Sequence, residues 1–434
     1  MEGAEAFPSA RSRLASTTVL GLGLKDVTRE TSGEGKPDRA RSGGEYVHPV
    51  GSQTPLSHPK NDSSFDRLFH PGEGIPAMAD IGIGIIGQGV GHSRARMATQ
   101  TEGMKLIAIS DLHEDRRQRA EQEFGVPAYE DYRRLLDDKR INVIGIFTPA
   151  GYRREIALQA FDAGKHVIVT KPMEVNIRRC DDMIRAAEDK RLRLLVDFDS
   201  RYRPHNRAIK KAIGDGLFGR ILMAEVRLKW YRDQAYYDWD GGWRGTWRLD
   251  GGGSLANQTV HYIDRIQWFM GEPASIFGYV GVFSHDIEAE DQGAAVMRWK
   301  NGALGTIVGA TTTVPDFEFT RVEIHGNRGG VVSMSMSGGY MPDPKKGEYI
   351  ESWVMTDENL KTIGTGPIEV VPGPKNVMED FVSMMTKGTK PMVDGREGRK
   401  SIEILNGIYE SAQTGKEVKF PLRKPFIPKA GHKE

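Results

Sequence analysis

Apolar positions keep one rhythm from residue 81 to 198 and another from about 203 onward. In the first stretch, short β-branched runs at 81–86, 105–110, 142–147, 166–171 and 192–198 alternate with helical periods starting near Ser93, at 151–163 and at 177–190. Strand–helix alternation of this kind predicts a parallel, doubly wound sheet with crossover helices. In the second stretch, a helix at 207–213 gives way to long strands at 221–230, 275–284, 293–299, 303–312, 321–325 and 331–336. Successive strands with few helices predict an open, mostly antiparallel sheet in an α+β unit, with an exposed face suited to oligomer contacts. Val332, Met334 and Met336 alternate there and are read as core or interface. The expected division is a disordered extension over 1–78, a doubly wound domain over 79–202, an α+β domain over 203–422 and a tail over 423–434. Residues 1–78 earn the first description because Gly, Ser, Pro, Glu and Arg dominate them and no apolar period persists. The working chain is expected to start at Met78.

The first strand runs into Gly87, Gln88, Gly89, Val90 and Gly91, and a helix follows. Strand, glycine turn and helix start form a dinucleotide cradle, because the backbone can approach a pyrophosphate and the helix N-terminus presents free N–H groups. A literal G-x-G-x-x-G at Gly82, Gly84 and Gly87 lies within the strand and cannot be that turn. The second strand ends in Asp111, about where an acid that binds the adenosine ribose belongs. Its charge would repel a 2′-phosphate, so NAD is expected over NADP. Arg116 and Arg117 are read as a solvated helix face. Thr148 and Pro149 end the third strand and Lys171 the fourth. All lie at carboxyl ends, where such sheets bind ligands. Lys171 is a catalytic candidate: burial and a neighbouring cationic ring would both lower its pKa.

Charge narrows the partners. The 434 residues carry 60 basic and 59 acidic side chains, a balance that offers no general attraction to nucleic acid or anionic membrane. No apolar run reaches the roughly 20 residues of a membrane span. Cys180 is the single cysteine, which excludes an intrachain disulfide and a cysteine-based zinc site. No metal is expected, and a reducing cytoplasm is the simplest location.

Tyr and Trp interleave with Gly, Asp and Arg between residues 236 and 253, a composition suited to a small carbohydrate. Trp243 and Arg244 are substrate-binding candidates, and Gly251, Gly252 and Gly253 would bring backbone close to the ligand. A helix over 254–269 follows, on which Asn257, His261 and Asp264 share one polar face. His261 and Asn257 join Lys171 as catalytic candidates, and both are expected to touch substrate.

These residues resemble the Gfo/Idh/MocA (glucose–fructose oxidoreductase, inositol dehydrogenase) family over about residues 80–422. The likeness rests on Gly-Gln-Gly at 87–89, Asp111, Thr148-Pro149, the run from Ala163 to Lys171-Pro172, Trp243-Arg244, the run from Gly251 to Asp264, and Asn301-Gly-Ala-Leu-Gly-Thr306. The stretches at 391–398, 409–412 and 421–422 extend it. The resemblance implies hydride transfer between NAD(P) and a carbinol carbon of a sugar, cyclitol or nucleotide sugar, in a homodimer or homotetramer built through the C-terminal sheet. It places the family's lysine on Lys171 and its histidine on His261. Thr170 replaces the usual glutamate, and Ala150 and Arg153 replace common Asn and His. Asn257 stands where inositol dehydrogenases carry an aspartate, so their Asp–His relay is missing at that position. Two other readings stay open: NAD-dependent glycosidic cleavage through transient oxidation and elimination, and a non-catalytic ligand sensor. Retention of both Lys171 and His261 argues against the sensor.

Overall fold

The computed structural model describes residues 81–315, 317–337, 347–365 and 371–429. The expected extension over 1–78 lies outside them. The first sheet is built from β1 (Ile81–Ile86), α1 (Val90–Thr99), β2 (Met104–Ser110), α2 (Glu114–Phe124), β3 (Ala128–Tyr129), α3 (Arg133–Asp137), β4 (Val143–Ile146), α4 (Arg153–Asp162), β5 (His166–Thr170), α5 (Ile177–Asp189) and β6 (Leu194–Asp197). Its six strands are parallel, in the order β3-β2-β1-β4-β5-β6. That order puts the topological switch point between β1 and β4, where ligands of doubly wound sheets bind. Helices cover both faces, so the central strands are apolar without alternation: Val143, Ile144 and Ile146 are all fully buried. Each such side chain contributes roughly 2 kcal/mol by leaving water.

A turn over Asp199–Tyr202 and α6 (Pro204–Gly214) lead into β7 (Ile221–Lys229), α7 (Gln234–Gly242, interrupted at Trp239, Asp240 and Gly241), α8 (Val260–Met270), β8 (Pro273–Gly281), β9 (Gln292–Trp299), β10 (Leu304–Ala310), β11 (Glu318–Gly326), β12 (Gly329–Ser337), β13 (Gly347–Thr356) and β14 (Thr362–Thr365). Then come α9 (Val377–Lys387), α10 (Gly395–Thr414) and β15 (Val418–Lys419). The second sheet has nine strands in the order β14-β13-β12-β11-β7-β10-β9-β8-β15, antiparallel except where β10 pairs with β7. One face packs on α8 and α10 through Leu255, Ile263, Met297, Ile307, Ile404 and Ile408. The other presents Met223, Tyr279, Val296 and Leu304 to solvent.

The structure adds elements that the expected pattern lacks, among them β3, α7, β13, β14 and β15. The two helices after residue 376 were not anticipated, although each opens on a side-chain cap, Asn376 and Asp394. The expected tail is partly docked: Phe426 packs 5.6 Å from the ring centroids of both Trp247 and Tyr409.

One buried ion pair ties the two sheets together near the crevice. The Arg201 guanidinium donates to both oxygens of Asp264 at 2.8 and 2.7 Å, and to Glu397 at 3.1 Å. Arg201 and Asp264 are almost fully buried, so losing one partner strands a charge, at a cost of about 3–5 kcal/mol. Asp264 therefore belongs to the scaffold, although it continues the polar face of Asn257 and His261.

Candidate functional site

The glycine turn is held between β1 and β4. Gly87 has φ +86°, and a Cβ there would lie 2.8 Å from the Phe147 carbonyl oxygen, so only glycine fits. Around Gly89 a Cβ would meet nothing within 4 Å, so the turn is open at its tip. Gly89 caps α1 without any side-chain hydrogen bond, and no acidic residue stands in the first turn. The helix N-terminus is thus free to receive an anion. Val90 is exposed at the helix start and Gly91 is buried against Phe147 and Ile85. The Gln88 amide is buried with neither of its polar atoms bonded to protein. An orphaned amide beside an uncapped helix suits a dinucleotide pyrophosphate.

Asp111 is buried at the end of β2. Its Oδ2 accepts the Gln88 N–H at 2.5 Å and its Oδ1 accepts the His113 N–H at 2.9 Å. These bonds fix the carboxylate and leave it acceptor capacity for ribose hydroxyls. Arg116 and Arg117 are not a solvated face. Arg117 donates to the carbonyls of Asp111 and Leu112, and Arg116 pairs with Asp240.

Thr148, Pro149 and Lys171 close the ends of β4 and β5, and Arg153 staples these ends together. Its buried guanidinium donates to the carbonyls of Thr148 at 2.8 Å, Thr170 at 2.9 Å and Pro172. Burial lowers this arginine to about 10. Lys171 Nζ donates to the Asn257 carbonyl at 2.8 Å, and burial followed by the Arg153 charge brings its pKa down to about 8. The strand end of one sheet thus meets the helix start of the other.

Asn257 sits in a π-helical turn, Ser254–Thr259, that runs directly into α8. Such turns are rare and recur at functional sites. The Asn257 amide donates to Asp250 at 2.9 Å, which fixes its flip and leaves Oδ1 facing the Tyr236 hydroxyl at 3.5 Å. Asp250 is buried and raised to about 6 by that burial, and Glu290 behind it is raised to about 7 for the same reason. Glu290 accepts the N–H groups of Gly253 and Leu255 and the Tyr409 hydroxyl. Here the glycine expectation needs correction. A Cβ on Gly252 would fall 2.1 Å from the Tyr409 hydroxyl and one on Gly253 1.7 Å from the Glu290 carbonyl oxygen. These glycines let protein pack against protein, not against ligand.

His261 lies in the first turn of α8 with its side chain 27% exposed, and its Nδ1 is 3.6 Å from Asp199 Oδ1. Burial and the Lys171 charge hold the imidazole below its ordinary pKa, while Asp199 pulls the other way. The residue is neutral near pH 7. The aspartate missing at 257 is thus matched by a carboxylate from a different element, the turn after β6. No helical spacing reveals that pairing.

Arg244 is caged by aromatic rings, with its guanidinium 4.8 Å from the Tyr236 centroid, 4.9 Å from Trp239 and 4.6 Å from Trp243. Tyr236 also accepts from Gln258 at 2.7 Å, so this cage is continuous with the Asn257 turn. Among the described residues no cluster of His, Cys, Asp and Glu could hold a metal ion, and no helix is long and apolar enough to cross a membrane.

Comparison with known proteins agrees with this architecture. Residues 81–198 match the model of the oxidoreductase family's NAD-binding Rossmann fold, and residues 206–332 match the GFO/IDH/MocA C-terminal domain. The chain is 27% identical over 355 residues to a myo-inositol 2-dehydrogenase of Thermotoga maritima, covering 78% of this chain and 98% of that one. It is 26% identical over 294 residues to a levoglucosan dehydrogenase of Pseudarthrobacter phenanthrenivorans, covering 59% and 74%. Among solved structures it is similar to the WlbA dehydrogenase of Bordetella pertussis in complex with NADH and UDP-GlcNAcA, with a TM-score of 0.70, 29% identity, and coverage of 79% of this chain and 100% of that one. The chain belongs to the Gfo/Idh/MocA family of NAD-binding oxidoreductases.

Proposed function

We propose that this protein is an NAD-dependent dehydrogenase that oxidises one carbinol carbon of a sugar, cyclitol or nucleotide sugar. The observation that carries the proposal is the bond from Lys171 Nζ to the Asn257 carbonyl, one helical turn before His261. It gathers an ammonium, a carboxamide and a neutral imidazole at the carboxyl edge of the parallel sheet. A nicotinamide held there would supply the hydride acceptor. Residues 87–91 hold the pyrophosphate, Asp111 the adenosine ribose, and Thr148 and Pro149 border the path toward Lys171.

His261 is the base. Asp199 favours the tautomer with the proton on Nδ1, which leaves Nε2 to take the substrate hydroxyl proton as the carbon gives up hydride. Lys171 donates to the same oxygen and orients it. Asn257, its flip set by Asp250, binds a neighbouring hydroxyl. Trp243 and Arg244, with Tyr236, hold the remainder of the substrate. The nucleotide sugar bound to the WlbA dehydrogenase supports including that class. We also propose that the exposed face of the nine-stranded sheet is the contact between copies of this chain.

The test is a screen of cyclitols, anhydrosugars, aldoses and UDP-sugars for NADH accumulation, with product analysis. His261→Ala is expected to lower turnover by about 10²–10⁴ with NADH affinity unchanged. Turnover without net NADH would replace the proposal with the elimination reading, and a loss below about tenfold would move the base to Lys171.

A further inference from the structure

The segment that carries the aromatic cage also reaches the far end of the cofactor site. Asp240 Oδ1 lies 2.9 Å from Arg116 Nη2 and 3.0 Å from His113 Nε2. Both groups come from the chain just after β2, and Arg116 Nη1 is also 3.9 Å from Asp111 Oδ2. Trp239 extends the contact, with the Arg116 guanidinium 5.3 Å from its ring centroid. Asp240 has φ +61° and ψ 43°, left-handed backbone that a residue with a Cβ adopts at a cost. Gly241 and Gly242, also at positive φ, follow it without that cost. The chain therefore places a carboxylate at a position glycine would fill more easily.

In doubly wound domains an acid after the second strand binds the ribose 2′-hydroxyl, and an arginine nearby accommodates a 2′-phosphate. This chain has both, within 3.9 Å of each other. The arginine, however, already faces a carboxylate. We propose that Asp240 sets the dinucleotide preference, by occupying Arg116 and His113 and so withholding them from a 2′-phosphate. Asp111 alone would leave the site ambiguous, because Arg116 could offset its repulsion. Asp240 removes the offset. It also makes the preference a joint property of the two sheets, since the excluding carboxylate stands on the loop that continues into Trp243 and Arg244.

This rests on the assignment of residues 87–91 and Asp111 to a dinucleotide, and the test separates the two. NADH and NADPH are titrated into the full chain by fluorescence and calorimetry for wild type, Asp240→Asn and Asp240→Asn/Arg116→Ala. Wild type is expected to bind NADH more tightly. Asp240→Asn is expected to bind NADPH about tenfold more tightly than wild type does, with NADH affinity changed less than about threefold, as for one freed charge-assisted contact. The gain should vanish in the double variant. Asp240→Gly, which the left-handed backbone accepts, gives the same reading should the amide variant be unstable. NADPH affinity within about twofold of wild type in both variants, or an equal loss for both dinucleotides, would overturn the proposal while leaving the cofactor assignment intact. Binding of neither dinucleotide by wild type would overturn both.

Discussion

His261 Nδ1 faces Asp199 Oδ1 at 3.6 Å, although the two residues come from different elements and neither position predicts the other. What sets the spacing is the Arg201–Asp264 pair, which joins the turn bearing Asp199 to the helix bearing His261. A carboxylate on Nδ1 fixes the tautomer and favours the imidazolium formed as the proton arrives. Catalytic contacts of this kind often tighten when substrate is present. Asp199→Asn should therefore lower kcat by about 10–10². Adding it to His261→Ala should cost nothing further, because the two act as a unit. Additive losses in the double variant would show that Asp199 serves the fold or the substrate directly.

Lys171 gives the activity a pH limb with a definite sign. Its pKa, brought down to about 8 chiefly by burial, keeps it mostly protonated at neutral pH. In the proposed mechanism the cation is the form that donates to the reacting oxygen, so kcat/KM for alcohol oxidation should fall above about pH 8. Lys171→Arg retains a cation far above that range, and its profile should lose the limb even if its rate is lower. A wild-type profile that keeps rising from pH 7 to 10 would make neutral Lys171 the base.

The parallel sheet was legible because five of its six strands are apolar runs punctuated by turn residues, the two-residue edge strand β3 being too short to show, and the ends of those runs name Gly87, Asp111, Thr148 and Lys171 directly. Lys171, Asn257 and His261 do converge, and Arg244 does sit among aromatic rings. What the sequence hid were partnerships across elements: Asp199 with His261, Asp250 with Asn257, Asp240 with Arg116. Spacing along a helix relates residues three or four apart on that helix and is silent about a carboxylate from another element, whether 7, 62 or 124 positions away. The same blindness made the glycines at 251–253 look like a ligand surface, when their reason is Val175 for Gly251, the Tyr409 hydroxyl for Gly252 and the Glu290 carbonyl for Gly253.

The open face of the nine-stranded sheet predicts an assembly. Val296 is 57% exposed, Leu304 56% and Tyr279 67%, on neighbouring strands whose opposite face is core. Contiguous apolar surface of this kind marks an interaction site. Sedimentation should give a dimer or tetramer, and Val296→Glu with Leu304→Glu should give monomers that retain helix and strand content. Charge placed on solvent-facing positions leaves the folded chain nearly unperturbed, so an unchanged oligomer would exclude this face.

Stability offers an independent check on Lys171. Burial depresses its pKa from the ordinary 10.5 to about 8, so between these values the unfolded chain binds more protons than the folded one. Stability therefore rises with pH across that window, and below it the protein carries the full cost of enclosing the charge. That cost is about 3 kcal/mol by the size of the shift. Lys171 is partly exposed, and its bond to the Asn257 carbonyl returns about 1 kcal/mol. Lys171→Met, which keeps the stem and removes the charge, should then stabilise the protein by roughly 1–2 kcal/mol at pH 7 while abolishing turnover. The gain should shrink toward zero as pH approaches 10.5, where the wild-type lysine is neutral in the folded state and discharging in the unfolded state. Denaturant titrations at pH 7 and 10 measure it. Loss of stability at pH 7, or a gain independent of pH, would mean that the ammonium is not confined as its surroundings require.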